Sequence, residues 1–65
     1  MDMRDMVAAV EREIEAEMSI QRSAPAVSYT RLERLADLKQ SLTSYKLLSY
    51  SQWMLLSQCI DNNKE

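Results

Sequence analysis

Residues 30–62 read TRLERLADLKQSLTSYKLLSYSQWMLLSQCIDN and contain neither glycine nor proline. Apolar side chains recur along this stretch at intervals of three and four residues, which is the spacing of one helical face. These side chains are Leu35, Leu38, Leu42, Tyr45, Trp53, Leu56 and Ile60. Because nothing interrupts the pattern, the sequence predicts one long helix from about residue 25 to about residue 61, roughly 50–55 Å at 1.5 Å per residue.

The residues before this stretch predict a first helix over about residues 2–21, with one apolar face. That face carries Met3, Met6, Val7, Val10, Ile14 and Met18. Turn signals cluster at Arg22–Pro25, and proline is tolerated in the first turn of a helix, so we expect Pro25 to open or directly precede the second helix. The spacing of Thr30 and Glu33 predicts a capping box near its start.

A short connection makes the two predicted helices antiparallel neighbours, and aligning their apolar faces sets a register. The residues predicted to form the shared core are Val7, Val10, Ile14, Leu35, Leu38, Leu42 and Tyr45. The same register places Glu17 opposite Arg31, two charged residues on otherwise apolar faces. The sequence therefore predicts an all-α, antiparallel two-helix hairpin that forms a single domain over residues 1–65.

In this register the N-terminal end of the first helix lies opposite Tyr45. Residues 47–60 therefore have no covering helix from the same chain. Soluble monomers rarely expose so large an apolar surface, and a domain of this size buries only about 60% of the surface of its unfolded chain. We expect the segment to bind a partner, or to cause self-association when the protein is alone. The predicted partner-binding residues are Leu47, Leu48, Tyr50, Trp53, Met54, Leu55, Leu56 and Ile60.

The composition argues against several other classes of function. The chain has no histidine, and Cys59 is its only cysteine, so it lacks a disulfide framework, a cysteine-rich zinc site and the commonest general base. A net charge of −2 is unfavourable for binding phosphate backbones, and no apolar run approaches the ~20 residues of a membrane span. We expect a cytoplasmic, non-enzymatic protein with no metal, cofactor, small-molecule substrate, nucleic acid or membrane as its ligand.

One alternative is a homodimeric four-helix bundle that regulates by binding nucleic acid. Such a dimer should present a basic row along one face. The basic residues of the second predicted helix are instead interleaved with the acidic residues Glu33 and Asp37. These basic residues are Arg31, Arg34, Lys39 and Lys46.

A second alternative rests on Ser57, Gln58 and Asp61, which have the Ser-Gln-x-x-Asp spacing of a family of small helical-hairpin phosphatases. That resemblance implies removal of phosphate from the aspartate of a response regulator. In those phosphatases the motif lies near the middle of the hairpin, whereas Asp61 stands four residues from the end of this sequence.

A broader resemblance covers about residues 8–54. The chain is similar to the small E-type co-chaperones of type III secretion needle subunits, the YscE/PscE/EscE-like family. The features that carry the similarity are Glu15-Ala16-Glu17-Met18 at the end of the first helix, a loop of about six residues, the start of the second helix at Pro25 through Tyr29, and the aliphatic-aromatic residues Leu47, Leu48 and Tyr50.

This resemblance implies a helical hairpin that acts in the bacterial cytoplasm by protein–protein contact. Its implied partner is a larger G-type chaperone built from tetratricopeptide-like helical repeats. The same complex would contain the needle subunit, held monomeric and soluble before secretion. In that arrangement the E-type protein mainly stabilises the G-type chaperone.

Overall fold

The computed structural model describes residues 1–24 and 29–64, which form three α-helices and, within those ranges, no strand. The helices are α1 (Met3–Ser23), α2 (Thr30–Thr43) and α3 (Tyr50–Asn62). The predicted all-α class is confirmed. The predicted two-helix hairpin is wrong, because residues 44–49 divide the expected second helix into α2 and α3. The expected role of Pro25 lies outside the described residues.

Helix α1 begins at a capping box formed by two aspartates. The Asp5 N–H donates to Asp2 Oδ1 at 3.0 Å, and the Asp2 N–H donates to Asp5 Oδ2 at 3.5 Å. These contacts bind amide groups that have no partner inside the helix, and the carboxylates interact favourably with the positive end of the helix dipole. The helix runs to Ser23, about two residues beyond the predicted end.

Helix α2 begins without a side-chain cap. Tyr29 is its N-cap residue and its side chain makes no capping hydrogen bond, while Thr30 is already the first helical residue. The predicted capping box of Thr30 and Glu33 is therefore wrong, since a capping box requires the hydroxyl residue at the N-cap position.

Helix α2 ends in a Schellman motif whose left-handed residue is a tyrosine. Tyr45 has φ 56°, the Lys46 N–H donates to the Ser41 carbonyl at 3.0 Å, and the Tyr45 N–H donates to the Leu42 carbonyl at 3.2 Å. Glycine usually occupies this left-handed position, because a Cβ atom disfavours it. Because no glycine marks this position, the sequence pattern does not predict the break between α2 and α3.

Helix α3 begins at a second capping box. The Gln52 N–H donates to Ser49 Oγ at 3.2 Å, and the Ser49 N–H donates to Gln52 Oε1 at 2.9 Å. The Ser-x-x-Gln spacing of these residues is the sequence signature of a helix start.

The core is shared by all three helices. Its buried apolar residues are Ala9, Val10, Leu35, Leu38, Leu42, Leu56 and Cys59. Partly buried residues packed against it are Met3, Met6, Val7, Ile14, Leu48, Leu55 and Ile60. Tyr45 is not a core residue as predicted but is 82% exposed, because it lies beyond the end of α2. The expectation that residues 47–60 lack a covering helix is also wrong, since α3 packs on α1 and α2 of its own chain.

Helix α3 lies obliquely across the α1–α2 hairpin. Near its start, Gln52 donates to Asp37 and Ser41 of α2. Just beyond its end, Asn63 Nδ2 lies 3.4 Å from the Ala9 carbonyl oxygen of α1. The helix thus passes from α2 to α1 over the half of the hairpin that contains the start of α1 and the end of α2. None of the helices in the described ranges has the length and apolar character needed to cross a membrane.

Candidate partner interface

The most prominent surface feature is a group of exposed apolar side chains in residues 45–54. Of the nine large apolar side chains that are exposed in the described residues, five lie in this segment. We call these five the apolar patch: Tyr45, Leu47, Tyr50, Trp53 and Met54. Single exposed apolar residues are normal on monomers, whereas five within ten residues make this segment the candidate binding surface.

Helical geometry places three patch residues on one face of α3. Tyr50, Trp53 and Met54 stand at positions i, i+3 and i+4, which are neighbours on a helix surface. Tyrosine and tryptophan are enriched at interface hot spots, and methionine adapts its shape to irregular pockets. The outer face of α3 is therefore apolar at its N-terminal end.

The structure divides the predicted partner-binding residues into two groups. Leu47, Tyr50, Trp53 and Met54 are exposed, so they are available to a partner. Leu48, Leu55, Leu56 and Ile60 pack in or against the core of the same chain instead. The split arises because α3 has one buried face, which the prediction of an uncovered helix did not foresee. Tyr45 joins the patch although the sequence assigned it to the core.

A groove between α2 and α3 borders the apolar patch. It has a volume of about 610 Å³, and Tyr50 and Met54 contribute to its wall. The other lining residues are Arg34, Asp37, Ser49, Ser51, Gln52, Leu55 and Gln58. The groove exists because α1 packs closely against both other helices, whereas α2 and α3 contact each other less.

Gln52 positions the patch by joining α3 to α2. Its Oε1 accepts from the Ser49 N–H at 2.9 Å, while its Nε2 donates to Asp37 Oδ2 at 2.9 Å and to Ser41 Oγ at 3.1 Å. One amide group therefore sets both where α3 begins and where it docks. Sequence reasoning missed this residue, although the Ser-x-x-Gln spacing was the signal that could have found it.

Three of the four ion pairs in the described residues join α1 to α2. Arg31 Nη1 donates to Glu17 Oε1 at 3.0 Å, and Arg31 Nη2 lies 3.6 Å from Glu13 Oε2. Glu17 and Arg31 are the two residues that the predicted register places opposite each other. Lys39 Nζ lies 3.8 Å from Glu11 Oε2. Two of the four basic residues considered for a nucleic-acid row are therefore paired with carboxylates.

No family model, no curated protein and no solved structure matches this chain.

The Ser-Gln-x-x-Asp residues all lie exposed on α3. Ser57 Oγ donates to the Trp53 carbonyl at 3.0 Å, and Asp61 Oδ1 lies 3.3 Å from Lys64 Nζ. These contacts are local to one helix and its end. No grouping of three or more histidine, cysteine, aspartate or glutamate residues that could hold a metal ion occurs in residues 1–24 and 29–64.

Cys59 lies on the buried face of α3 and is fully buried. Burial raises the pKa of its thiol, the Glu13 carboxylate raises it further, and the Arg31 guanidinium partly opposes this. Because the thiolate is the nucleophilic form, a raised pKa makes the thiol inert. Cys59 is part of the packed core and not of the interface.

Proposed function

We propose that this chain is a co-chaperone of a type III secretion system. It binds and stabilises a tetratricopeptide-like G-type chaperone, and so helps to keep the needle subunit monomeric and soluble in the bacterial cytoplasm before secretion. It acts by protein–protein contact and not by catalysis. The apolar patch is the surface through which it binds.

The observation that carries this proposal is the clustering of exposed apolar side chains in residues 45–54. Leu47 is 99% exposed and Tyr50 is 79% exposed. Both residues also belong to the aliphatic-aromatic segment through which the chain resembles the E-type co-chaperones. Tyrosine is enriched at binding hot spots, and a partner that covers either side chain removes apolar surface from water.

The mechanism is stabilisation by mass action. A ligand that binds only the folded state of its partner lowers the free energy of that state by an amount that grows with ligand concentration. A helical-repeat chaperone that exposes apolar helices is stabilised in this way when the patch covers them. The needle subunit then meets a folded chaperone.

Copurification of two coexpressed proteins tests the proposal. The probe is the G-type chaperone encoded with a type III secretion system in the same genome, coexpressed with this chain carrying an affinity tag. We expect the unaltered chain to retain the chaperone. Leu47→Ser combined with Trp53→Ser should reduce the retained chaperone about tenfold or more, since the side chains that carry an interface typically cost more than 1 kcal/mol each when truncated.

Ile20→Ser combined with Tyr29→Ser is the matched control. Ile20 is 49% exposed and Tyr29 is 57% exposed, but both lie at the opposite end of the α1–α2 hairpin. This variant should retain the chaperone as well as the unaltered chain does. Equal retention by the Leu47/Trp53 variant would show that the patch is not the binding surface, and no retention by the unaltered chain would exclude the proposed partner.

A further inference from the structure

Residues 44–49 have the properties of a hinge between two helices. The chain carries no glycine or proline from residue 30 to residue 62, and apolar residues on both sides of the break follow one helical spacing. The break depends on Tyr45, which has φ 56°. A residue with a Cβ atom disfavours this left-handed conformation, so the segment is held against its own backbone preference.

Within the hinge, the amide groups form hydrogen bonds that a continuous helix would replace with its own. The Tyr45 and Lys46 amides bond carbonyls of the last turn of α2, and the Ser49 amide bonds Gln52. If residues 44–49 became helical, each amide would instead bond the carbonyl four residues earlier. The side chains of Tyr45 and Leu47 are 82% and 99% exposed, so they contribute little to the stability of the bent form.

A straightened hinge would carry α3 away from its own chain. A continuous helix over residues 30–62 is roughly 50 Å long at 1.5 Å per residue, whereas the longest dimension of the molecule is 33 Å. The last part of such a helix projects beyond α1. Leu56 and Cys59, which are buried in the bent form, would then be exposed unless another molecule covered them.

We propose that the chain also forms a domain-swapped dimer, in which residues 44–49 are helical and α3 of each copy packs on α1 and α2 of the other copy. A second copy is the specific occupant because it presents the same complementary groups. Gln52 then bonds Asp37 and Ser41 of the other chain, and Asn63 reaches its Ala9. The exchange is reciprocal, so the assembly closes with twofold symmetry.

The swapped dimer gains a contact that the monomer lacks. The two straightened hinges pass each other near the twofold axis, where Tyr45 and Leu47 of each chain lose their exposure to water. The swapped dimer and the proposed complex with a G-type chaperone compete for the same residues. A G-type chaperone on the apolar patch and a second hinge both require Tyr45 and Leu47.

Light scattering coupled to size-exclusion chromatography tests for the dimer in samples from micromolar to millimolar concentration. We expect a dimer whose population grows with concentration. Hydrogen exchange then distinguishes a swapped dimer from a side-by-side one. The Leu47 and Leu48 amides should exchange about tenfold or more slowly in the isolated dimer than in the monomer, because they become hydrogen-bonded within a helix.

Two substitutions at Tyr45 provide a matched pair, since both remove the same aromatic side chain. Tyr45→Gly favours the left-handed bend, and Tyr45→Ala favours the helix. Because each dimer contains two hinges, the dissociation constant of the Gly variant should exceed that of the Ala variant by about a hundredfold. Equal constants, a dimer with unprotected Leu47 and Leu48 amides, or monomers at every concentration would each overturn the proposal.

Discussion

The side-chain amide of Gln52 donates to the carboxylate of Asp37, with 2.9 Å between Nε2 and Oδ2. The same amide caps the first turn of α3 through its oxygen and reaches Ser41 of α2 through its nitrogen. Helix α3 is therefore fixed to the hairpin at its beginning by one residue. This junction determines which face of α3 is buried and which face carries the apolar patch.

Gln52→Ala should lower the free energy of unfolding by about 1–2 kcal/mol, because it removes a capping interaction and a hydrogen bond to a charged group. Urea denaturation followed by circular dichroism measures this change. Gln58→Ala is the matched control, since Gln58 is exposed on the same helix. Alanine favours helix slightly more than glutamine does, so the control should be neutral or stabilising by a few tenths of a kcal/mol. A continuous helix without the junction would give both variants the same small effect.

Ser49→Ala should destabilise the protein by about 1 kcal/mol, because Ser49 is the N-cap residue of α3. Ser51→Ala tests the same chemical change two residues later, inside the helix and exposed. It should change the free energy of unfolding by less than about 0.5 kcal/mol, as expected for a surface position. If the two serines gave equal effects in thermal denaturation, Ser49 would not be the N-cap residue of α3.

The helical class and the α1–α2 packing could be predicted from the spacing of apolar residues. That spacing places Val10, Leu35 and Leu38 in the core, and all three are fully buried. The division of the predicted second helix into α2 and α3 could not be predicted from apolar spacing, because the same spacing continues from α2 into α3. The left-handed conformation of Tyr45 depends on tertiary packing, because it allows α3 to fold back and cover the core.

The candidate interface could be predicted only as a segment of sequence. The apolar residues on more than one side of residues 47–60 predict a binding segment, and α3 does carry apolar residues on two faces. One face of α3 covers the chain's own core through Leu56 and Cys59, and the other face carries the exposed residues Trp53 and Met54. Dividing the segment into these two faces requires the direction in which α3 folds back.

Arg31→Ala should destabilise the protein by about 1–3 kcal/mol, because it leaves the Glu13 and Glu17 carboxylates without their cation in a partly buried position. Their side chains are only 13% and 11% exposed. Lys39→Ala breaks the exposed pair with Glu11 and should cost less than about 1 kcal/mol. Urea denaturation of both variants at the same salt concentration measures the difference, and a larger effect for Lys39→Ala would contradict the packing described for Arg31.

Cys59 gives the stability of the protein a dependence on alkaline pH. Burial, and then the Glu13 carboxylate, raise the pKa of the thiol in the folded state. In the unfolded chain the thiol therefore loses its proton at lower pH than in the folded protein. The unfolded state binds fewer protons above the ordinary thiol pKa of about 8.5, so the free energy of unfolding falls as pH rises beyond that value.

Denaturation of the unaltered chain and of Cys59→Ala between neutral pH and about pH 10, where thiols of ordinary pKa are ionised, isolates this contribution. At neutral pH the alanine variant should be less stable by about 1 kcal/mol, because removal of the buried sulfur atom leaves a void. The difference between the two proteins should shrink as pH rises, since only the cysteine protein loses the thiol contribution. A difference independent of pH, together with rapid alkylation of Cys59 in the native protein, would mean that the face of α3 that carries the thiol is not packed against the core.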